Sequence, residues 1–217
     1  MTQNKNTARK NTNYVNKYLI RANSITDYTV FVITWLKNLY LEQGLSQKNN
    51  YVILAGANKK KFNSIDHVPW NKSEKLKIVT HHWGANWNKG LNIYKKLYEM
   101  MALTEYKDLI SFTYIGNLPK NFAFKNSNVL SPLAGLELSN EIKKHHVYLT
   151  ASTNEPSGNH HIEGAQCGLP ILYLNSGAMP ENCNGFGVMF EYDNFEQKLE
   201  EMGIKCGPTQ QNPGVCT

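Results

Sequence analysis

Two carboxylates, Glu155 and Glu163, stand with seven residues between them in the stretch NEPSGNHHIEGAQCGLPI, Asn154 to Ile171. Pro156, Ser157 and Gly158 permit a tight turn with free backbone N–H groups, and a helix can start at Asn159 and His160. A helix start carries partial positive charge and unpaired amides, so a phosphate is favoured there. The same residues also suit an ordinary strand-to-helix turn capped by Ser157 or Asn159. Glu163 repels phosphate, but it can accept hydrogen bonds from sugar hydroxyls, as acidic side chains do for a ribose. Its plainer reading is a solvent-facing helix residue. Lys89, on another loop, directly precedes Gly90 and a further helix. Its ammonium can reach a diphosphate as a point charge, and the glycine allows close approach. Taken alone, Lys89 and Gly90 mark only a helix start.

Other chemistries lack their signatures. The histidine doublets at 81–82, 145–146 and 160–161 do not chelate by themselves, because adjacent side chains diverge on a strand or a helix. No catalytic metal is expected. Neither a phosphate-binding GxxxxGK[ST] loop nor a GxGxxG after the first strand occurs, which argues against kinase and dehydrogenase chemistry. The four cysteines, at 167, 183, 206 and 216, form no CxxC pair and read as reduced, unpaired thiols. The net charge of +6 and the isoelectric point near 9.0 suit phosphate-bearing small molecules. No basic helix and no aromatic-basic repeat points to nucleic acid, so none is expected as a partner. The polar N-terminus lacks the apolar stretch of a signal peptide. YTVFVITWL, the longest apolar run, is too short to cross a bilayer. The expected location is cytoplasmic, with peripheral membrane contact left open.

The elements that must position these residues alternate. Short apolar runs at Tyr28–Thr34, Tyr51–Leu54, Leu76–Thr80, Leu109–Ile115, Asn128–Leu130, Val147–Ala151, Ile171–Leu174 and Phe186–Phe190 read as strands. Helical spacing or stop signals mark Trp35–Gln43, Leu91–Met101, Gly135–Lys144, His160–Cys167 and Asn194–Met202 as helices. Residues 1–20 are polar and read as frayed or as a displaced helix, and KKKFNSIDHVPWNKSEK at 59–75 reads as a linker. Residues 203–217 lack periodicity and read as an unstructured tail. Such alternation predicts an α/β fold, a Rossmann-like parallel sheet with helices on both faces. The loops His81–Gly90, Gly116–Pro119 and Asn154–His160 all follow strands, so they share the sheet edge where ligands bind.

The paired glutamates, followed by Gly164-Ala165 and Gly168-Leu169-Pro170, resemble the E-x7-E block of the GT-B glycosyltransferases of family 4, the "group 1" enzymes. Further blocks follow in that family's order. Lys89-Gly90 resembles its Lys-Gly loop, YIGNLP its "vvGdGp" turn, NVLSPL its base-contacting "V-f-G-x-v" strand, and NSGAMPE its "d-x-G-G-x-P-E" loop. Upstream, YTVFVITWLKNLY and ILAGANKKKF resemble the segments that end the first domain and lead into the second. The pattern departs from the family where its Arg before the Lys is absent, where "E-G-F-G" reads Glu155-Pro156-Ser157-Gly158, and where the Asn-Gly-Val-Asp hinge reads Ala55-Gly56-Ala57-Asn58.

The resemblance implies the second domain of a GT-B fold at 76–202, linked through 59–75 to the end of a first, acceptor-binding domain at 1–58. It implies a retaining transfer from a nucleoside-diphosphate sugar, of UDP or GDP type, to a glycan, lipid or protein acceptor, with no further cofactor. Lys89, Gly90 and the backbone of Ser157, Gly158, Asn159 and His160 would hold the diphosphate. Glu163 would hold the ribose, Asn117 and Leu130 would lie along the nucleotide, and Glu155 and Lys89 would act at the reacting centre. The alternatives are a donor-binding fragment or split subunit that needs a separate acceptor-domain chain, and a nucleotide-sugar epimerase of GT-B shape.

Overall fold

The structure, a computed structural model, describes residues 2–3, 13–46 and 48–204. It contains two parallel sheets. The smaller holds β1 (Thr2–Gln3), β2 (Thr29–Phe31) and β3 (Asn50–Val52), side by side in that order. Helices α1 (Asn13–Asn23) and α2 (Thr34–Glu42) connect them. The larger sheet comprises β4 (Leu76–His82), β5 (Ile110–Gly116), β6 (Asn128–Leu130), β7 (Val147–Thr150), β8 (Ile171–Leu174) and β9 (Gly187–Phe190). Its order is β6-β5-β4-β7-β8-β9, and every pairing is parallel.

Helices α3 (Leu91–Met100), α4 (Gly135–Ile142), α5 (His160–Gln166), α6 (Met179–Cys183) and α7 (Phe195–Leu199) accompany this sheet. Neighbouring strand residues feed opposite layers. Ile78 packs in one core with Leu91, Tyr94 and Leu97 of α3, while Val79 packs in the other with Leu138, Ile142 and Cys167. Both faces of β7 and β8 are thus dry, which explains their almost wholly apolar runs, and β4 is buried along its length apart from Lys77. Each fully buried aliphatic side chain contributes about 1.5–3 kcal/mol of transfer free energy.

Several expectations need correction. β4 runs two residues past Thr80, because it stays paired with β5 out to His82 opposite Gly116. The two histidines belong to the strand, where tyrosine hydroxyls satisfy their polar atoms. β2 is shorter than its apolar run, since the chain leaves the ladder and begins α2 at Thr34. The segment 59–75 has no helix or strand, yet it is not merely a solvated link: Phe62 is buried, and the His67 Nε2 lies 3.1 Å from the His145 carbonyl. Most of its other residues, the lysines at 59–61 among them, face water. The short helix α6 is unforeseen in the sequence, because five residues are too few to show a helical period, although Pro180 suits its first turn. The last helix ends at Leu199 and widens into a looser turn, Glu200–Ile204, where Gly203 adopts φ 90°. That turn takes in the first two residues of the expected tail; 205–217 lie outside the described residues, as do 4–12 of the polar N-terminal stretch. No helix among the described residues is long and apolar enough to cross a membrane.

Candidate functional site

The strand order locates a crevice. From β4 the chain steps outward through β5 and β6, then returns to place β7 on the other side of β4. Loops leaving β4 and β7 therefore diverge, and the gap beyond their carboxyl ends is the binding position of open α/β sheets. Lys89 lies on the first loop and Glu155 on the second.

Three loops are tied together there. The Thr153 N–H donates to the Asn88 carbonyl at 2.8 Å, joining the β7 loop to the β4 loop. The Asn154 N–H donates to the Ser176 hydroxyl at 2.9 Å, and the Ala178 N–H to the Glu155 carbonyl at 2.9 Å, joining it to the loop after β8. Asn154 accepts a left-handed backbone, φ 49°, to make the turn. Gly90 has φ 95°, and a Cβ there would come within 2.7 Å of Ala151, so the start of α3 can lie against β7 only with glycine at this position.

The ammonium of Lys89 donates to Glu155 Oε2 at 2.7 Å, and both side chains are largely buried. Glu163, one turn into α5, meets the His81 Nε2 through Oε2 at 2.9 Å. It is thus not a plain solvent-facing residue. Between these pairs lies a cleft of about 220 Å³, lined by His81, His82, Trp83, Lys89, His160 and Glu163 among others.

Two buried tyrosines support the histidines from below. Tyr94 of α3 lies 2.8 Å from the His82 Nε2, and its oxygen accepts from the Ala151 N–H and the Thr80 hydroxyl. With its acceptor sites used, the phenol hydrogen points to His82, which leaves the other ring nitrogen as the N–H. Tyr148 of β7 meets His81 in the same way on the opposite side. The divergence expected of a doublet is therefore real, although both rings approach His160, at centroid distances of 6.3 and 4.9 Å. Burial, and then the charge of Lys89 on His82 and the neighbouring His82 on His160, hold both imidazoles well below their ordinary pKa. Burial also lowers His161 to about 4, against a smaller opposing pull from Glu155. No three His, Cys, Asp or Glu side chains among the described residues are grouped so as to hold a metal.

The remaining expected residues divide. Gly158 is pressed against the His160 ring, 2.5 Å from where a Cβ would sit, and Asn159 precedes α5 without making a side-chain cap. The hydroxyls of Ser152 and Ser157 are buried with no protein partner. Asn117 turns away from the β7 loop to bond the Trp83 carbonyl at 2.9 Å, and Leu130 packs half-buried against the second core. Sequence reading missed His81, His82, Tyr94 and Tyr148 as site residues. The available signal was Thr80-His81-His82, a polar ending on an otherwise apolar strand.

No protein-family profile matches the chain, and no curated protein matches it by sequence. Solved structures do match, and the fold they define is the GT-B type, of which this chain carries a Rossmann-like half with its six-stranded parallel sheet. TarM superposes with a TM-score of 0.68 at 14% identity, over 92% of this chain and 40% of that one. A glycosyltransferase from Rickettsia africae gives 0.67 at 19% identity, over 89% and 56%. HepE of Anabaena, solved with UDP-glucose, gives 0.68 at 10% identity, over 89% and 60%. The chain thus spans 40% to 60% of the length of these neighbours. At such identities the likeness is one of fold.

Proposed function

We propose that this chain supplies the donor-binding half of a retaining GT-B glycosyltransferase, which moves a sugar from a nucleoside-diphosphate sugar to an acceptor without a catalytic metal. The observation that carries this reading is the Lys89–Glu155 pair, 2.7 Å apart at the switch point beside Glu163. A cation and a helix start for a diphosphate and a carboxylate for sugar hydroxyls thus line one cleft, and a second carboxylate is joined to that cation. Lys89 and the amides of Ser157 to His160 neutralise the charge that grows on the diphosphate as it leaves. Glu163 accepts from the ribose, and Glu155 lies beside the donor sugar, where it positions or stabilises the reacting centre. The neutral N–H of His82 is a further donor toward the cleft, in a chain that lacks the arginine of the resembling family. HepE's UDP-glucose supports a UDP-type donor.

The proposed division places the donor site in residues 76–202, joined through 59–75 to an acceptor-side segment at 1–58. Catalysis needs a second wall facing the cleft, so the reading of this chain as a donor-binding subunit, inactive by itself, stands beside the first. It is supported by the partial coverage of the neighbours and by GtfA/B, a neighbour solved as a complex, with a TM-score of 0.60. Titration of the whole chain with uridine diphosphate and guanosine diphosphate tests the site common to both readings. Lys89→Ala and Glu163→Ala should each weaken binding by roughly ten- to a hundredfold. Unchanged affinity in both variants refutes the assignment.

A further inference from the structure

His81 takes no part in the diphosphate or sugar contacts proposed above, yet its ring is the only protein group joined to the Glu163 carboxylate among the described residues. Its hydrogen-bond order can be worked out donor by donor. The His81 backbone N–H donates to the Tyr148 hydroxyl oxygen at 3.1 Å, which uses one acceptor site of that oxygen. The Glu163 carboxylate can only accept, so the ring nitrogen that faces it, Nε2, carries the proton and donates to Oε2 at 2.9 Å. In the neutral ring Nδ1 is then left as the acceptor, and it takes the Tyr148 phenol hydrogen across 2.9 Å. Burial holds the Tyr148 phenol well above its ordinary pKa, so its hydrogen stays in place.

Packing makes the chain stiff. Tyr148 is fully buried, and His81 is 5% exposed. Next to Glu163, Gly164 lies flat on the Tyr148 ring: a Cβ there would come within 2.5 Å of it. The missing side chain is what lets α5 settle low enough for Glu163 to meet His81. One carboxylate oxygen is therefore pinned, and Oε1, which has no partner among the described residues, is left on the cleft side.

We propose that His81 is the positioning residue of Glu163: the Tyr148–His81–Glu163 chain aims Oε1 at the sugar hydroxyls of the nucleotide and so sets selectivity for ribose over deoxyribose. This rests on Glu163 being the ribose acceptor. Side-chain orienters of this kind act by fixing geometry rather than by touching the ligand.

The test compares affinities of the whole chain for uridine diphosphate and for 2′,3′-dideoxyuridine diphosphate, with the guanosine pair in parallel, and uses their ratio as the readout. The unmodified chain should prefer the ribose form, and Glu163→Ala should abolish that preference. His81→Ala should lower the ratio roughly five- to tenfold. His81→Gln, whose amide nitrogen reaches the Nε2 position, should restore most of it, and His81→Asn, which falls short, should not. Tyr148→Phe, which releases the tautomer, should lower the ratio about two- to fivefold, and it decides the matter if His81→Ala does not fold. A role in folding alone would weaken both nucleotides equally and leave the ratio intact. If Glu163→Ala removes the preference while His81→Ala, or in its absence Tyr148→Phe, keeps it, the inference about His81 is wrong and the ribose assignment stands. If the unmodified chain shows no preference, or Glu163→Ala keeps it, the ribose assignment fails and the inference falls with it.

Discussion

The six-stranded and three-stranded sheets are both parallel, but they differ in the depth of their cores and in the polar groups they bury. The larger sheet is dry on both faces at its central strands and carries at its carboxyl edge His81, His82, Glu155, His160 and His161, each with less than a tenth of its surface exposed. The smaller has strands of two or three residues and a core of Phe31, Ile33, Leu36, Tyr40, Leu45 and Ala178, while Tyr28, Tyr51, Ile53 and Leu54 stay exposed. It is also held from outside itself. Ile33 precedes α2 and has no side chain to cap it, so the Thr34 and Trp35 amides donate instead to the carboxylate of Glu181, both at 3.0 Å. The difference teaches that extended buried polar networks form where a deep core on both sides fixes their partners, while the thin sheet keeps smaller ones, such as Asn23 donating to the Thr29 hydroxyl at 2.6 Å. A thin sheet leans on a few long-range contacts instead.

Substituting Gly116 should produce the largest effect. It adopts φ 143°, and a Cβ would sit 1.9 Å from the His82 carbonyl oxygen on the paired strand. Gly116→Ala should cost about 3 kcal/mol or more in chemical denaturation and should also disturb the proposed nucleotide binding, because it displaces the strand end carrying His81 and His82. A loss confined to the smaller sheet would break the comparison.

A pH series should give an effect of similar or slightly smaller size. In the folded chain His161 titrates near 4, against an ordinary value of 6.5, and His82 and His160 are shifted in the same direction. Between those limits the unfolded chain binds more protons, so stability falls as pH drops below 6.5 and is lost progressively toward 4. His161 alone contributes roughly 3 kcal/mol to that slope. Neither of its ring nitrogens has a partner among the described residues, so His161→Leu should flatten the profile and raise the melting temperature at pH 5 more than at pH 7. An unchanged slope in His161→Leu would show that the imidazole is solvated after all.

The smallest effect is expected at Glu181. Glu181→Ala should cost about 1 kcal/mol, the usual value of a helix cap. Faster amide exchange should be confined to α2 and β2, with the six-stranded sheet unaffected. Equal acceleration across both sheets would mean that they open together.

Much of this architecture was legible in the sequence. Val147–Thr150, Ile171–Leu174 and Asn128–Leu130 form strands within a residue of their apolar runs, and Leu91–Met100 forms the helix its spacing implies. These are local signals, since dry strands need continuous apolar residues and helices need a periodic apolar face. Lys89, Glu155 and Glu163 were legible as candidates because glycine-bearing turns and strand ends mark loops. The extension of β4 through His82 was not, because polar residues signal a strand's end unless buried partners are known. Tyr94 and Tyr148 looked like core aromatics, and so they are, apart from hydroxyls whose partners lie far away in sequence.

By itself, then, the amino-acid order determined the alternation of strands and helices, the parallel sheet and the loops that carry the carboxylates and the lysine. The strands, helices and turns depend on interactions among residues a few positions apart, and their alternation in turn implies a parallel sheet. Only the tertiary structure decided that β7 lies beside β4, that Lys89 meets Glu155 across 66 residues, and that His81 meets Glu163 across 82. Strand order and hydrogen-bond partners follow from how two cores pack on opposite faces of one sheet, and no local pattern in the chain encodes that packing.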